Sequence, residues 1–468
     1  MSSLSKTFSA IEAGSLGSRQ QQASRSQSSS LNRGCENEEK AGYDSASIRG
    51  CENEEEAEYE PESLRRYNPP TLRSYEDRTR PVGPVDRLKH FTWAWYTCTM
   101  STGGIAILIS PRIQPHTFPG LEVIGKIVFI WMLLLFVLFS GLITYRFIKY
   151  PGTFTNSIKR PPETIFFAAF FLSVSNILSG MIHYAASSCG PWLLDVFRIC
   201  FWIYFVLTFC SAVGHYMILF TNPELKIEDM TPAWDFPIFP FMISGTVACT
   251  GAAEFAPADA MPMIVAGLTA QGLGLLVSIF MYACYIHRMV QYGLPSLATR
   301  PAMFIAVGPP SFTSLVIINM ANAYPSYYEY FGSDAATMQI MRVGATMVSV
   351  FVWSLSCWFF FISLISCTIH WRSMVFKLNW WAFIFPNVGF TLGTIYIGRS
   401  LNSEGIKWVG SMMTVLLVCT YIFVFANMVR AVINKAILWP GQDEDTYAEE
   451  ANDKEEKRSL MKARTNEA

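Results

Sequence analysis

The middle of this sequence contains very little charge. Only 15% of the 468 residues are charged and 51% are hydrophobic, whereas soluble domains carry roughly 25% charged residues. Most of the charge lies in residues 33–89 and 441–468, so the segment between them is poorer still. This deficit excludes an ordinary soluble fold for that segment and indicates a protein of the lipid bilayer. The net charge of −1 gives no reason to expect a nucleic-acid partner.

The sequence also lacks the motifs of pumps, enzymes and metal proteins. It contains no P-loop, no dinucleotide fingerprint and no Gly-x-Ser-x-Gly. Its eleven cysteines are scattered without metal-binding spacing. We therefore predict neither an enzyme nor a cofactor or metal site. The first 85 residues are polar and lack the apolar core of a signal peptide, so the first apolar stretch is expected to direct insertion itself.

Apolar stretches dominate what is present. A bilayer core is ~30 Å thick and takes about 20 helical residues to cross. We predict an all-α integral membrane protein with ten transmembrane helices, separated by Pro, Gly and charged residues. Most connections are short, so neighbours in sequence are expected to pair as antiparallel hairpins. The predicted helices are 91–110, 122–146, 163–184, 193–219, 236–254, 262–286, 299–321, 338–369, 379–397 and 406–433.

Two polar tails flank the ten-helix membrane domain, which we place at residues 86–435. Residues 1–85 are rich in Ser, Gln and Glu and are expected to form a disordered tail, and residues 436–468 form a second, charged tail. The segment RGCENEE occurs twice, from Arg33 and from Arg49. It is either a slipped duplication or an acidic docking element. Lys and Arg are commoner in the loops on the side of the tails, which predicts that both termini are cytosolic. We expect the plasma membrane as the location.

The odd-numbered helices are rich in Gly, Pro, Ser and Thr, while the second and tenth are smoothly apolar. Gly and Pro free backbone groups, which a bilayer tolerates only where protein or a water-filled cavity satisfies them. We therefore predict that the odd helices surround a cavity; the alternative is that small residues serve tight helix packing. The pore-lining candidates are Ser101, Thr102, Gly103, Asn176, Gly245, Thr246, Gly308, Pro309, Ser311 and Thr394.

Four even helices carry a basic residue about one turn after their outer end, namely Lys126, Arg198, Arg342 and Lys407. These cations either reach back to the membrane interface or make an outer vestibule that attracts anions. No acidic residue lies deep in any predicted span, which favours anions over cations and argues against a buried proton relay. His183 is the best histidine for a proton-linked role, with interfacial hydrogen bonding as the alternative. Proton coupling stays open.

Four segments carry a resemblance to a known family. They are WYTCTMSTGGIA from Trp95, PIFPFMISG from Pro237, RPAMFIAVGPPSF from Arg300 and WWAFIFP from Trp380. They resemble fungal malic-acid transport proteins of the tellurite-resistance/dicarboxylate transporter family. Fungal sulfite efflux pumps and plant slow anion channels are relatives within that family. The resemblance covers residues 86–435 and not the tails.

The resemblance implies five helical hairpins around a central pore, with the odd helices inside, and a homotrimer in which each protomer has its own pore. It also implies that a Phe of the ninth helix plugs the pore; that position corresponds to Phe385, with Phe383 as the alternative. The expected function is transport of C4-dicarboxylate anions such as malate, succinate and fumarate. A sulfite or other small-anion exporter is the alternative, and a membrane receptor or scaffold is the second class considered.

Overall fold

The computed structural model describes residues 83, 85–159, 163–186, 188–221, 226–325 and 335–439. All of them lie in one compact unit, Arg73–Ala468. The duplicated segment and nearly all of both tails lie outside the described residues. Within the described ranges the secondary structure is entirely helical, without a strand.

Ten long helices follow one another in the described chain, and a short helix, Thr153–Lys159, lies between the second and third. The long helices are α1 Tyr96–Leu108, α2 Leu121–Lys149, α3 Glu163–Gly180, α4 Trp192–Phe220, α5 Phe239–Ala252, α6 Pro257–Tyr292, α7 Gly308–Ala323, α8 Ala335–Ile369, α9 Phe385–Ser400 and α10 Glu404–Ile433. Eight helical segments are long and apolar enough to cross a bilayer. The other two, α1 and α5, have 13 and 14 residues. An all-helical membrane protein is confirmed, and the count of ten crossings stays a prediction.

The odd helices lie inside and the even helices lie outside. In the spans that contain α3, α7 and α9, the most apolar stretch is 61%, 94% and 83% buried, respectively. Every residue of α1 is buried as well. In the five even helices, the most apolar stretch is only 22% to 39% buried. Because exposed Leu, Ile, Val and Phe are stable against lipid but not against water, the even helices form the lipid-facing ring.

Part of the small-residue pattern serves packing. A Cβ on Gly103 would lie 2.6 Å from the Cβ of Asn176, so glycine allows α1 and α3 to approach closely. A Cβ on Gly251 would lie 2.2 Å from the ring of Phe197 on α4. Both interpretations of the odd helices therefore apply: some small residues permit contact, and others line the cavity described below.

Prolines shape the starts of the inner helices. Short 3-10 turns, Pro232–Ile238, Arg300–Val307 and Leu378–Phe383, lead into α5, α7 and α9. Pro310 has no amide hydrogen for the carbonyl of Ala306, and the hydroxyl of Tyr282 donates to that carbonyl instead (3.0 Å). One expected break is wrong, since α6 already begins at Pro257 and continues through Pro262. Pro257 fits because a proline at the first helical position needs no amide partner, whereas Pro262 lies inside the helix and leaves the carbonyl of Ala258 without its usual amide donor.

A buried ion pair joins α2 to α3. Arg146 contacts Glu163 at 2.5 Å and donates to the carbonyl of Phe91 at 3.0 Å. Both side chains are more than nine-tenths buried, so each charge depends on the other for the interactions that water would otherwise provide. The pair fixes the entry of the chain into α1 against the second hairpin.

Candidate functional site

A cavity of about 270 Å³ lies among the inner helices. Every odd helix contributes to it, and among the described residues no even helix does. The odd helices contribute Gly104 and Ile107 from α1; Ser175, Asn176 and Ser179 from α3; Ile243, Thr246, Cys249 and Thr250 from α5; Phe312, Leu315, Asn319, Asn322 and Ala323 from α7; and Phe385, Val388, Leu392 and Tyr396 from α9. The five odd helices therefore enclose one common cavity.

Neutral polar groups line much of the cavity. Asn176 donates its amide to the carbonyl of Met100 at 2.8 Å, which fixes its side chain between α1 and α3. The hydroxyl of Thr246 is buried and has no hydrogen-bond partner. Asn319 adds a further amide from α7. Amides and hydroxyls of this kind replace part of an anion's hydration shell without binding it permanently.

The mouth of the cavity carries one ion pair. Arg112 and Glu254, which follow α1 and α5, lie 2.9 Å apart and are 41% and 37% exposed. His183 also lines this region, with its Nδ1 3.5 Å from the hydroxyl of Ser110. Glu254 balances the charge of Arg112, while Arg399 at the end of α9 donates to the backbone carbonyl of Arg112 at 3.1 Å and adds a second cation beside the pair.

Phe385 lies at the other end of the cavity, at the start of α9. Its side chain is 3% exposed, and its ring centroid is 5.2 Å from that of Phe312. On another side the ring faces Gly104, where a Cβ would lie 3.3 Å from it. The alternative, Phe383, packs against Phe304 and Trp380 and lines a different cavity. Of the two candidates, Phe385 lines the cavity among the odd helices and Phe383 does not; the role of Phe385 as a gate stays a prediction.

The remaining pore candidates divide into two groups. Asn176 and Thr246 line the cavity. The other eight are buried elsewhere in the inner helices, and several of their hydroxyls already have partners. These bonds run from Ser101 to the carbonyl of Trp381 (3.4 Å), from Thr102 to that of Cys98 (2.7 Å), from Ser311 to that of Val307 (2.7 Å), and from Trp353 to the hydroxyl of Thr394 (3.0 Å).

Sequence reasoning missed Ser175, Ser179, Thr250, Asn319 and Asn322. A signal was present, since Thr246 and Thr250 are four residues apart and Asn319 and Asn322 are three apart, which places each pair on one helix face.

The four basic residues of the even helices are not brought together at the cavity. Three of them have carboxylate partners: Lys126 with Glu122 (2.8 Å), Arg198 with Asp259 (2.7 Å) and Lys407 with Glu404 (2.8 Å). Arg342 is exposed on α8. A cation that is paired with a carboxylate at this distance attracts other anions only weakly, because the two charges nearly cancel beyond the pair. The positions of these residues therefore do not support the predicted attraction of anions, which stays a prediction.

No acidic residue was expected deep in a predicted span, and Asp235 lies one residue before the fifth of these spans, yet it is fully buried. Asp235 lies in the 3-10 turn that leads into α5 and is 1% exposed. Neither of its carboxylate oxygens makes a hydrogen bond of regular geometry, although the hydroxyls of Tyr216 and Ser278 lie close enough to interact with the carboxyl group. The fifth predicted helix begins one residue later, at residue 236, so Asp235 was expected in a proline-rich connection.

Residues 90–429 match the family model described as SLAC1, voltage-dependent anion channel. The chain belongs to the SLAC1 family. It is 37% identical over 366 residues to the malic acid transport protein of Schizosaccharomyces pombe, covering 77% of this chain and 83% of the relative. A putative malic acid transport protein of the same organism is 34% identical over 365 residues, covering 77% and 84%. A sulfite efflux pump of Arthroderma benhamiae is 22% identical over 347 residues, covering 72% and 90%.

These matches confirm the resemblance found in the sequence. The SLAC1 family is one of anion channels and transporters, so the chain is a multi-pass membrane transport protein for anions and not an enzyme. The sulfite efflux relatives are more distant than the malic acid transport proteins.

Proposed function

We propose that this protein moves C4-dicarboxylate anions, such as malate, succinate and fumarate, through a pore between its odd helices. The cavity supports this most directly, because all five odd helices line it, four of them (α3, α5, α7 and α9) with amides or hydroxyls, and Phe385 lies at its inner end. The two malic acid transport relatives, at 37% and 34% identity, favour dicarboxylates over sulfite.

The geometry suggests how an anion would pass. A dianion entering from the mouth exchanges water for donors on the wall, with Thr246 offering an unpartnered hydroxyl and Asn176 and Asn319 offering amides. At the inner end, the ring of Phe385 presents no hydrogen-bond donor on its face. An aromatic constriction of this kind excludes water and blocks ions until the ring moves.

Asp235 is the proposed proton site if transport is coupled to protons, with His183 at the mouth as the alternative. A buried carboxyl group without a cation beside it is more stable when it is protonated, and ionisable groups within a membrane commonly serve proton transfer. Tyr216 of α4 and Ser278 and Tyr282 of α6 lie beside Asp235. The carboxyl group could therefore gain or lose a proton as the substrate passes.

We further propose a homotrimer in the plasma membrane, with ten crossings per protomer and both termini cytosolic. The family resemblance supports the trimer, and the excess of Lys and Arg in loops on the side of the tails supports the orientation. Mass measurement of the detergent-solubilised protein tests the trimer. Reaction of cysteines placed at the two termini with a membrane-impermeant reagent tests the orientation, since neither should react in intact cells.

Uptake by proteoliposomes tests the proposed substrate. We expect labelled malate to accumulate faster than labelled sulfite under the same voltage and pH gradients, and unlabelled succinate and fumarate to compete. Faster sulfite movement, with no malate flux, would favour the small-anion exporter. Absence of flux for both, with correctly folded protein, would favour the receptor or scaffold class.

A further inference from the structure

A second cavity of about 450 Å³ lies behind α9, between α8 and α10. We call it the lateral groove and define it by Phe304, Phe360, Trp380, Phe383, Asn387 and Phe423. It shares no lining residue with the cavity among the odd helices. Phe423 is 50% exposed at its edge, so the groove opens on the lipid-facing side of the protein.

The groove is apolar apart from a few groups, and its described lining contains no charged side chain. Two of its polar atoms are buried without a hydrogen-bond partner, the donor Nε1 of Trp380 and the acceptor Oδ1 of Asn387. The side chain of Asn387 is itself more than nine-tenths buried. The threonines are already satisfied, since Thr368, Thr391 and Thr420 each donate to a backbone carbonyl in their own helix at 2.8 Å.

Within the bilayer core there is no bulk water to satisfy these two atoms, so they favour a membrane molecule that both donates and accepts a hydrogen bond. A single hydroxyl group does both. A phosphate or carboxylate headgroup would meet no cation in this lining and would remain an unpaired charge. The polarity of the groove therefore selects a neutral, hydroxyl-bearing lipid.

We propose that the lateral groove is a sterol-binding site. A sterol has one hydroxyl on a rigid, flat apolar body, and the aromatic side chains of the groove offer faces against which such a body packs. The volume lies within the range of small-molecule sites in proteins. Asn387 is two residues after Phe385 on α9, so a bound sterol would contact the same helix that carries the proposed gate.

Photolabelling of the full-length protein in nanodiscs tests the site. We expect a photoreactive sterol to label groove residues of α8, α9 or α10, and free cholesterol to compete. The matching 3-keto sterol accepts a hydrogen bond but cannot donate one to Asn387. It should compete about threefold to tenfold more weakly, which is the effect of one neutral hydrogen bond.

Substitutions assign the two polar contacts. We expect Asn387→Leu to abolish the difference between cholesterol and the ketone, and Trp380→Phe to weaken both competitors about equally. Asn427→Leu is the matched control, because Asn427 lies on α10 outside the groove and donates to its own helix. It should leave the competition unchanged.

Equal competition by the ketone in the wild-type protein would overturn the proposal, as would labelling confined to other surfaces. Cross-linking between copies of the chain through groove residues would also overturn it, because a second copy would then cover the groove. These measurements need no transport, so their failure is distinct from failure of the proposed substrate.

Discussion

Replacing Phe385 with alanine should increase anion flux. To let an anion pass, the ring must leave its position against Phe312, 5.2 Å away between centroids. Loss of an aromatic pair costs about 0.5–1.5 kcal/mol, and rotation away from a favoured rotamer costs about 0.5–1.5 kcal/mol. The ring therefore contributes about 1–3 kcal/mol to the barrier, and its removal should raise the flux about fivefold to 150-fold.

The assay is initial malate uptake into proteoliposomes that contain equal amounts of each purified variant. Truncating a buried Phe costs about 3–5 kcal/mol of stability, so Phe139→Ala serves as a control with similar burial at a site away from both cavities. Phe383→Ala tests the alternative gate. Flux through Phe385→Ala equal to or below wild type would refute the assignment, and a rise confined to Phe383→Ala would transfer it to that residue.

Three further variants test the pathway. Gly104→Ala should lower flux several-fold, because the new Cβ would lie 3.2 Å from Val388 and 3.3 Å from the Phe385 ring and hinder movement of the ring, and Phe385→Ala should restore it. Glu254→Gln leaves Arg112 unpaired at the mouth and should lower the KM for malate up to about fivefold at low salt, with less effect at high salt. Asp235→Asn should make uptake less sensitive to an imposed pH gradient, because the amide cannot release a proton.

Each of these variants has a contradicting result. Flux through Gly104→Ala that stays low when Phe385 is also removed would mean that the new methyl group acts on packing and not on the ring. A KM change in Glu254→Gln that persists in high salt would exclude a charge effect, and Arg112→Gln should shift KM in the opposite direction. An unchanged pH response in Asp235→Asn would leave His183 as the remaining candidate.

The sequence predicted the helical segments and their inner and outer positions well. Both follow from composition, because lipid-facing helices must be apolar all along their exposed side while inner helices need not be. The position of Phe385 was identified through resemblance alone, since one Phe among 35 has no distinguishing local pattern.

The rotation of each inner helix could not be predicted. Ser311 and Asn319 lie on the same helix, yet only Asn319 reaches the cavity, while the hydroxyl of Ser311 bonds to its own backbone. Composition does not specify this choice, because packing against neighbours decides it. Asp235 was missed for a related reason: the prolines around it indicated a connection, but the chain folds there into a buried 3-10 turn.

Because the inner and outer helices differ in length, the length of the pathway should depend little on the thickness of the bilayer. α1 has 13 residues and α5 has 14, whereas the five outer helices have 29 to 36. Hydrophobic mismatch acts on helices that touch acyl chains, which respond by tilting. Since the shortest helices are shielded by longer ones, a thinner or thicker membrane should tilt the outer ring while the distance that an ion travels stays nearly constant.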